Sequence, residues 1–212
     1  MLTMHLLQET AMDDGNAALS RLHGFTLIET MVVVAIIAIL ASLAAPSFLG
    51  LIASTNVTST VNSFVSDTRF ARGEAMRRGK SVTICRSSSP SAAAPACSGG
   101  DGIAVGGWKE GWVVFEDLDG DGTFDAGDTV LRIQEAFPNI GDMLAVGASP
   151  SVSAVSNRNA LTYDATGRAV GQAARWLVHA RGDFAADNRY TRTLCMNSVG
   201  RVRVSQGEAA CS

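Results

Sequence analysis

The sequence has little to offer a catalyst. It contains no G-x-S-x-G, no H-E-x-x-H and no P-loop lysine motif, which removes the common signatures of esterase, zinc-protease and nucleotide chemistry. Of the three histidines, His5 and His23 lie in the first 24 residues, leaving His179 as the last. His179 follows the apolar run Trp176-Leu177-Val178, a setting that predicts a half-buried structural histidine. The four cysteines, Cys85, Cys97, Cys195 and Cys211, include no C-x-x-C pair, so a zinc site has no support. Two disulfides in an oxidising compartment fit better, and four cysteines allow three connectivities. Cys85–Cys97 with Cys195–Cys211 is the favoured pairing, because each closes a short local loop. No internal repeat is visible, and no enzyme is expected.

Charge is nearly absent from one segment. Between Phe25 and Ile52 the single ionisable side chain is Glu29, and an apolar run of that length can cross a bilayer as a helix. It exceeds the apolar region of an ordinary secretory signal, which is about 7–15 residues. The residues before it, Met1 to Gly24, are polar and mixed in charge, unlike a basic n-region. Gly24, preceded by Arg21 and His23, favours processing on the cytoplasmic side, ahead of the apolar stretch.

Beyond the apolar run a helical rhythm continues. Val57, Val61, Phe64, Val65, Thr68, Ala71, Ala75 and Met76 recur at three and four, while Arg69, Arg72, Arg77 and Arg78 fall mostly elsewhere. Pro46, with Gly50 close behind, predicts a kink or loose turn, and Gly79 is a C-terminal cap. Short β-rich runs follow at 81–85, 111–116, 129–137, 161–163, 175–179, 191–196 and 201–204. Residues 87–102 read as a loop stapled by Cys85–Cys97, and 141–159 as another low-complexity connection. The expected fold is α+β, a long N-terminal transmembrane helix packed on an antiparallel β-sheet head. Its parts are a leader (1–24), a membrane helix (25–52), the amphipathic half of the same helix (53–80) and a β-rich head (81–212).

Gly24-Phe25-Thr26-Leu27-Ile28-Glu29, abutting the apolar run Thr30 to Leu40, resembles the class III signal of type IV prepilins and pseudopilins. The resemblance implies that prepilin peptidase cuts between Gly24 and Phe25 and that Phe25 becomes N-methylated. It also implies an inner-membrane anchor, a periplasmic head and other pilins or pseudopilins as filament partners. A carboxylate in hydrocarbon costs about 2.5–3.5 kcal/mol on insertion scales and normally has a partner. In the family that partner is the N-terminus of a neighbouring subunit, so Glu29 would set register during assembly. The alternative is an acid favoured simply by its place at a helix N-terminus. The remainder resembles the GspH/FimT branch of minor pilins and pseudopilins. The carriers are Trp108, Gly111 to Asp117, Asp119-Gly120-Asp121-Gly122, Asp128 to Arg132 and the closing Gly200-Arg201-Val202-Arg203. That branch implies two antiparallel sheets packed against the C-terminal half of the long helix.

The formal charge of −3 conceals an asymmetry. Ten acids between Asp101 and Asp142 face only Lys109 and Arg132, whereas eight arginines after Asn157 face four acids. A basic face is an electrostatic footprint for polyanions, and the arginine fork suits phosphate. In an extended chain Arg201 and Arg203 share one side about 7 Å apart, with Val202 and Val204 on the other. Gly200-Arg201-Val202-Arg203 resembles the DNA-binding tail of FimT-type pilins, which capture DNA during natural transformation. The double-stranded-DNA set is then Gly200, Arg201 and Arg203, with Arg189 and Arg192. The same ending also occurs in relatives assigned to pilus priming or type II secretion, where the arginines would pair with acids or make filament contacts.

Asp117, Asp119, Asp121, Asp125 and Asp128 stand at positions 1, 3, 5, 9 and 12 of a calcium-loop spacing, with Gly122 at position 6. The last position is Asp rather than Glu, and both flanks read as strands. An Asp/Gly-rich hairpin turn is the alternative. No cofactor is required, and calcium is the one candidate.

Overall fold

The computed structural model describes residues 24–100, 102–147, 158–171 and 174–211, so the expected leader, apart from Gly24, lies outside the described residues. The chain divides into two compact units at Leu43/Ala44. Helix α1 (Leu27–Arg78) supplies the first unit's only described regular element and enters the second. Thr26 begins it as an N-cap: its Oγ1 accepts the Glu29 amide at 3.3 Å, the Thr-x-x-Glu spacing of a capping box. Leu27–Ala44 is long and apolar enough to cross a membrane, with its side chains exposed.

The loose turn expected at Pro46 does not interrupt the helix. Gly50 has a different use from the one expected of it. A Cβ there would lie 2.5 Å from the Tyr190 hydroxyl, so glycine lets the Tyr190 ring lie against the helix. The stop is as expected. Gly79 adopts φ 66°, and its amide and that of Lys80 both return to the Ala75 carbonyl, at 2.9 and 3.3 Å.

Among the described residues eight strands form two antiparallel sheets. One has the order β3 (Thr129–Gln134), β2 (Trp112–Asp117), β1 (Ser81–Arg86), β5 (Ala160–Tyr163). The other runs β4 (Ile140–Val146), β6 (Ala174–Ala180), β7 (Arg192–Met196), β8 (Val202–Gln206). The strand β4 corrects the expected connection over 141–159; residues 148–157 lie outside the described residues. Gly141 hides the strand pattern because it sits at a bulge between Ile140 and Asp142. A Cβ there would meet the Ala180 carbonyl oxygen at 2.5 Å. The expected strand over 129–137 ends at Gln134, and β3 is an exposed edge.

The core lies where the helical stripe meets both sheets. Val57, Val61, Phe64, Thr68, Ala71 and Ala75 are buried as the spacing predicts, but Met76 is 50% exposed, because the helix has reached its last turn. Phe64 is the hub, with ring centroids 5.4, 5.3 and 5.1 Å from Trp108, Trp112 and Trp176. Beside it Asp67 is buried, accepting the Trp112 indole N–H at 2.8 Å and the Arg132 guanidinium at 2.6 Å. Strand β2 alternates: Trp112 and Val114 face the main core, whereas Val113 and Phe115 pack on the other side with Cys85, Cys97 and Phe124. The loop closed by Cys85–Cys97 thus covers the outer face of the first sheet. Cys195–Cys211 forms the second expected disulfide and fastens the C-terminal segment to β7.

At the end of α1, Arg78 bridges Glu74 and Glu116 while Lys80 reaches Glu116, tying the helix to β2. The guanidinium of Arg77, then that of Arg78, holds the Glu74 carboxyl down at about 2.

Candidate functional site

The sequence singles out three regions. At the N-terminal end, Gly24 and Phe25 precede the helix as exposed residues outside regular structure, and Glu29 sits in its first turn with its backbone amide capped by Thr26. An acid there is favoured by the helix terminus, and among the described residues no cation pairs with its carboxylate.

At the other end, Arg201 and Arg203 take part in a groove of ≈ 640 Å³. The local fold begins with a tight turn in which the Gly200 amide bonds to the Asn197 carbonyl and the Arg201 amide to Asn197 Oδ1. Gly200 has φ 80°, and a Cβ would lie 2.7 Å from the Tyr163 ring and 3.1 Å from the Gly167 carbonyl. Only glycine fits both the angle and the space. Burial pushes the Tyr163 hydroxyl up to about 12, so the surface against which the turn packs stays neutral. Arg201 lies just ahead of β8 rather than inside it, and Arg203 is the second residue of the strand. Val202 packs towards the core, but Val204 is 46% exposed, because β8 is the edge of its sheet and its far end has left the core.

The groove is also lined by Arg69 and Arg72 of α1, which the helical spacing sets off the buried stripe. Among the described residues no carboxylate pairs with Arg69, Arg72 or Arg201, and the Arg72 Nε–H is buried without an acceptor. The helix arginines carry a usable signal: their i, i+3 spacing puts both on one face beside the buried stripe.

Arg189 and Arg192 are not part of this groove. Arg192 pairs with Gln206, at the opposite end of the β7–β8 ladder from the Met196–Val202 pair. Arg189 donates from Nε and Nη2 to Asp187 Oδ2, at 3.0 and 2.7 Å, and Arg192 donates to the Arg189 and Thr191 carbonyls. Other arginines counted in the basic half serve structure: Arg175 is buried against the Ala209 carbonyl, and Arg181 reaches that of Pro138. The sequence-level excess therefore overstates the open basic surface. His179 is half-buried as expected, with Nδ1 2.6 Å from Asp142 and Nε2 3.6 Å from Glu208. The Asp142 bond raises its pKa against the opposing effect of burial.

In the acidic loop, carboxylate oxygens of Asp117, Asp119 and Asp121 come within 4.8 Å of one another. They are also occupied by the loop itself. Asp117 is fully buried and accepts the Gly120 and Gly122 amides, at 2.7 and 3.0 Å, and the Thr83 hydroxyl at 2.6 Å. Asp119 and Asp121 accept the amides two residues on, and Asp128 accepts those of Leu118 and Asp125. Partial desolvation, then the charges of Asp119, Asp128, Asp121 and Asp117, raise the Asp125 pKa. The set thus fits the first three positions of a calcium loop, while Asp128 is given to closing the turn.

The sequence matches the family described as Type II transport protein GspH over residues 60–200, and the prokaryotic N-terminal methylation motif over 19–45. No curated protein sequence gives a significant match. Among solved structures, the type IV minor pilin FimU of Pseudomonas aeruginosa is 16% identical, with 74% of this chain and 96% of FimU covered at a TM-score of 0.49. The minor pseudopilin EpsH from the Type 2 Secretion System of Vibrio cholerae is 10% identical, with 71% and 97% covered at a TM-score of 0.44. The families matched comprise structural pilins, not enzymes. With more than half of its length in the match, the chain belongs to the GspH family, as a pilin or pseudopilin subunit with an N-terminal methylation motif.

Proposed function

We propose that this subunit displays a double-stranded-DNA-binding groove on a type IV pilus and serves in natural transformation. The observation that carries this reading is the clustering of Arg201 and Arg203 with other arginines around one groove that, among the described residues, has no acidic residue in its lining. Guanidinium groups at that density favour a polyanion, and contacts to phosphate bind any sequence and weaken with salt.

The remaining steps follow the family pattern. Prepilin peptidase cuts between Gly24 and Phe25, Phe25 is N-methylated, and the apolar helix anchors the chain in the inner membrane with a periplasmic head. Glu29 then pairs with the N-terminus of another pilin during assembly. The head disulfides suit an oxidising compartment.

DNA binding is tested on the full chain in a neutral detergent, with Arg201→Gln/Arg203→Gln beside the wild type. Affinity for a duplex is expected to fall roughly tenfold or more at low salt. A variant that binds DNA as tightly as the wild type sinks the reading. The second reading, favoured by the description of the matched family, is a type II secretion pseudopilin or pilus-priming subunit whose arginines contact a filament neighbour.

A further inference from the structure

We propose that Arg69 and Arg72 of α1 are DNA-contacting residues and make the groove two-sided, with the helix as one wall and the Gly200–Arg203 segment as the other. This inference rests on the DNA reading and deepens it. Four arginines from two separate elements line one groove, together with the polar Thr68 and Asn197. Arg69 and Arg72 lie three apart on a helix and so share a face. Arg201 and Arg203 lie two apart in an extended segment and so share a side.

Three observations point to phosphate as the ligand. Among the described residues no acidic side chain lines the groove, so an anion that enters meets a net positive lining. Among the described residues the buried Arg72 Nε–H has no acceptor and no carboxylate pairs with its guanidinium, so this arginine of the groove lining is not tied up in a protein ion pair. Among the described residues the lining contains no aromatic ring, so it offers bases no stacking platform and the phosphodiester backbone is the part recognised. The far wall is held in place without the ligand, by the Asn197–Gly200 turn and by the Cys195–Cys211 bridge, whose two cysteines also line the groove. A two-sided basic groove on a rigid frame grips a backbone; a single arginine pair on a tail only touches it.

The test is the salt dependence of duplex binding, again with the full chain in neutral detergent. Removing one arginine–phosphate interaction makes the slope of log K against log[salt] shallower by about 0.9. Arg69→Gln, at an exposed position, is expected to reduce the slope by about 1, and Arg69→Gln/Arg72→Gln by about 2. Arg69→Lys/Arg72→Lys is expected to keep the wild-type slope, since lysine retains the charge. If both Gln variants keep the wild-type slope while Arg201→Gln/Arg203→Gln reduces it, the second wall is wrong and the DNA reading stands. If neither pair changes the slope, both are wrong. Should the double variant unfold, Arg69→Gln decides alone: an unchanged slope overturns the proposal.

Discussion

The head carries two charged regions, the acidic loop and the arginine groove, and they treat their charges in opposite ways. In the loop Asp117, Asp119, Asp121 and Asp128 accept the loop's own amides, and Asp117 by itself accepts three protein hydrogen bonds while fully buried. In the groove, Arg69, Arg72 and Arg201 find no carboxylate among the described residues. The loop uses charge to close a turn, whereas the groove leaves charge available. Formal charge counts cannot distinguish the two, because they ignore where each side chain's hydrogen bonds go.

The comparison can be broken most forcefully at Asp117. Asp117→Ala removes the acceptor for two amides and a buried hydroxyl, and should cost about 3 kcal/mol in unfolding free energy. A chemical-denaturation midpoint within error of the wild type would mean that the loop is not self-held. Asp142→Asn comes next, at about 1–2 kcal/mol, because the His179–Asp142 hydrogen bond is charge-assisted. The folded pKa of His179 is raised, so its contribution is fully present below the unfolded value of about 6.5 and disappears as pH rises through the folded value. Unfolding curves for the wild type and Asp142→Asn should therefore converge on the alkaline side of neutral. A gap that persists or grows with pH would contradict that. Calcium should have the smallest effect, since the loop is closed without it. Millimolar calcium is expected to move Tm by less than about 1 °C. A shift of several degrees, abolished by Asp119→Asn/Asp121→Asn, would bear out the calcium expectation.

Much of the fold was legible in the sequence because its signals are local. The helical stripe, the Gly79 stop, both disulfides and seven of the eight strands among the described residues follow from spacing and from short loop closures. Strand β4 escaped because Gly141 sits at a bulge that breaks the alternation and is fixed by the approach of the Ala180 carbonyl, a tertiary cause. The use of Gly50 is hidden for the same kind of reason, since its partner, Tyr190, is remote in sequence. The site was half legible. Gly200, Arg201 and Arg203 form one segment, but Arg69 and Arg72 join them only through packing, and Arg189 and Arg192 are taken away by the ladder register. Asp67, buried between Trp112 and Arg132, has no sequence signature at all.

The measurement that bears most directly on the DNA reading is the salt dependence of duplex binding by the unmodified full chain in neutral detergent, without regard to DNA sequence. Four arginine–phosphate contacts predict a slope of about −3.6 in log K against log[salt]. Equal affinity for unrelated duplexes should accompany it. A slope near zero, or no binding at low salt, would mean that this subunit does not hold DNA through the arginine groove.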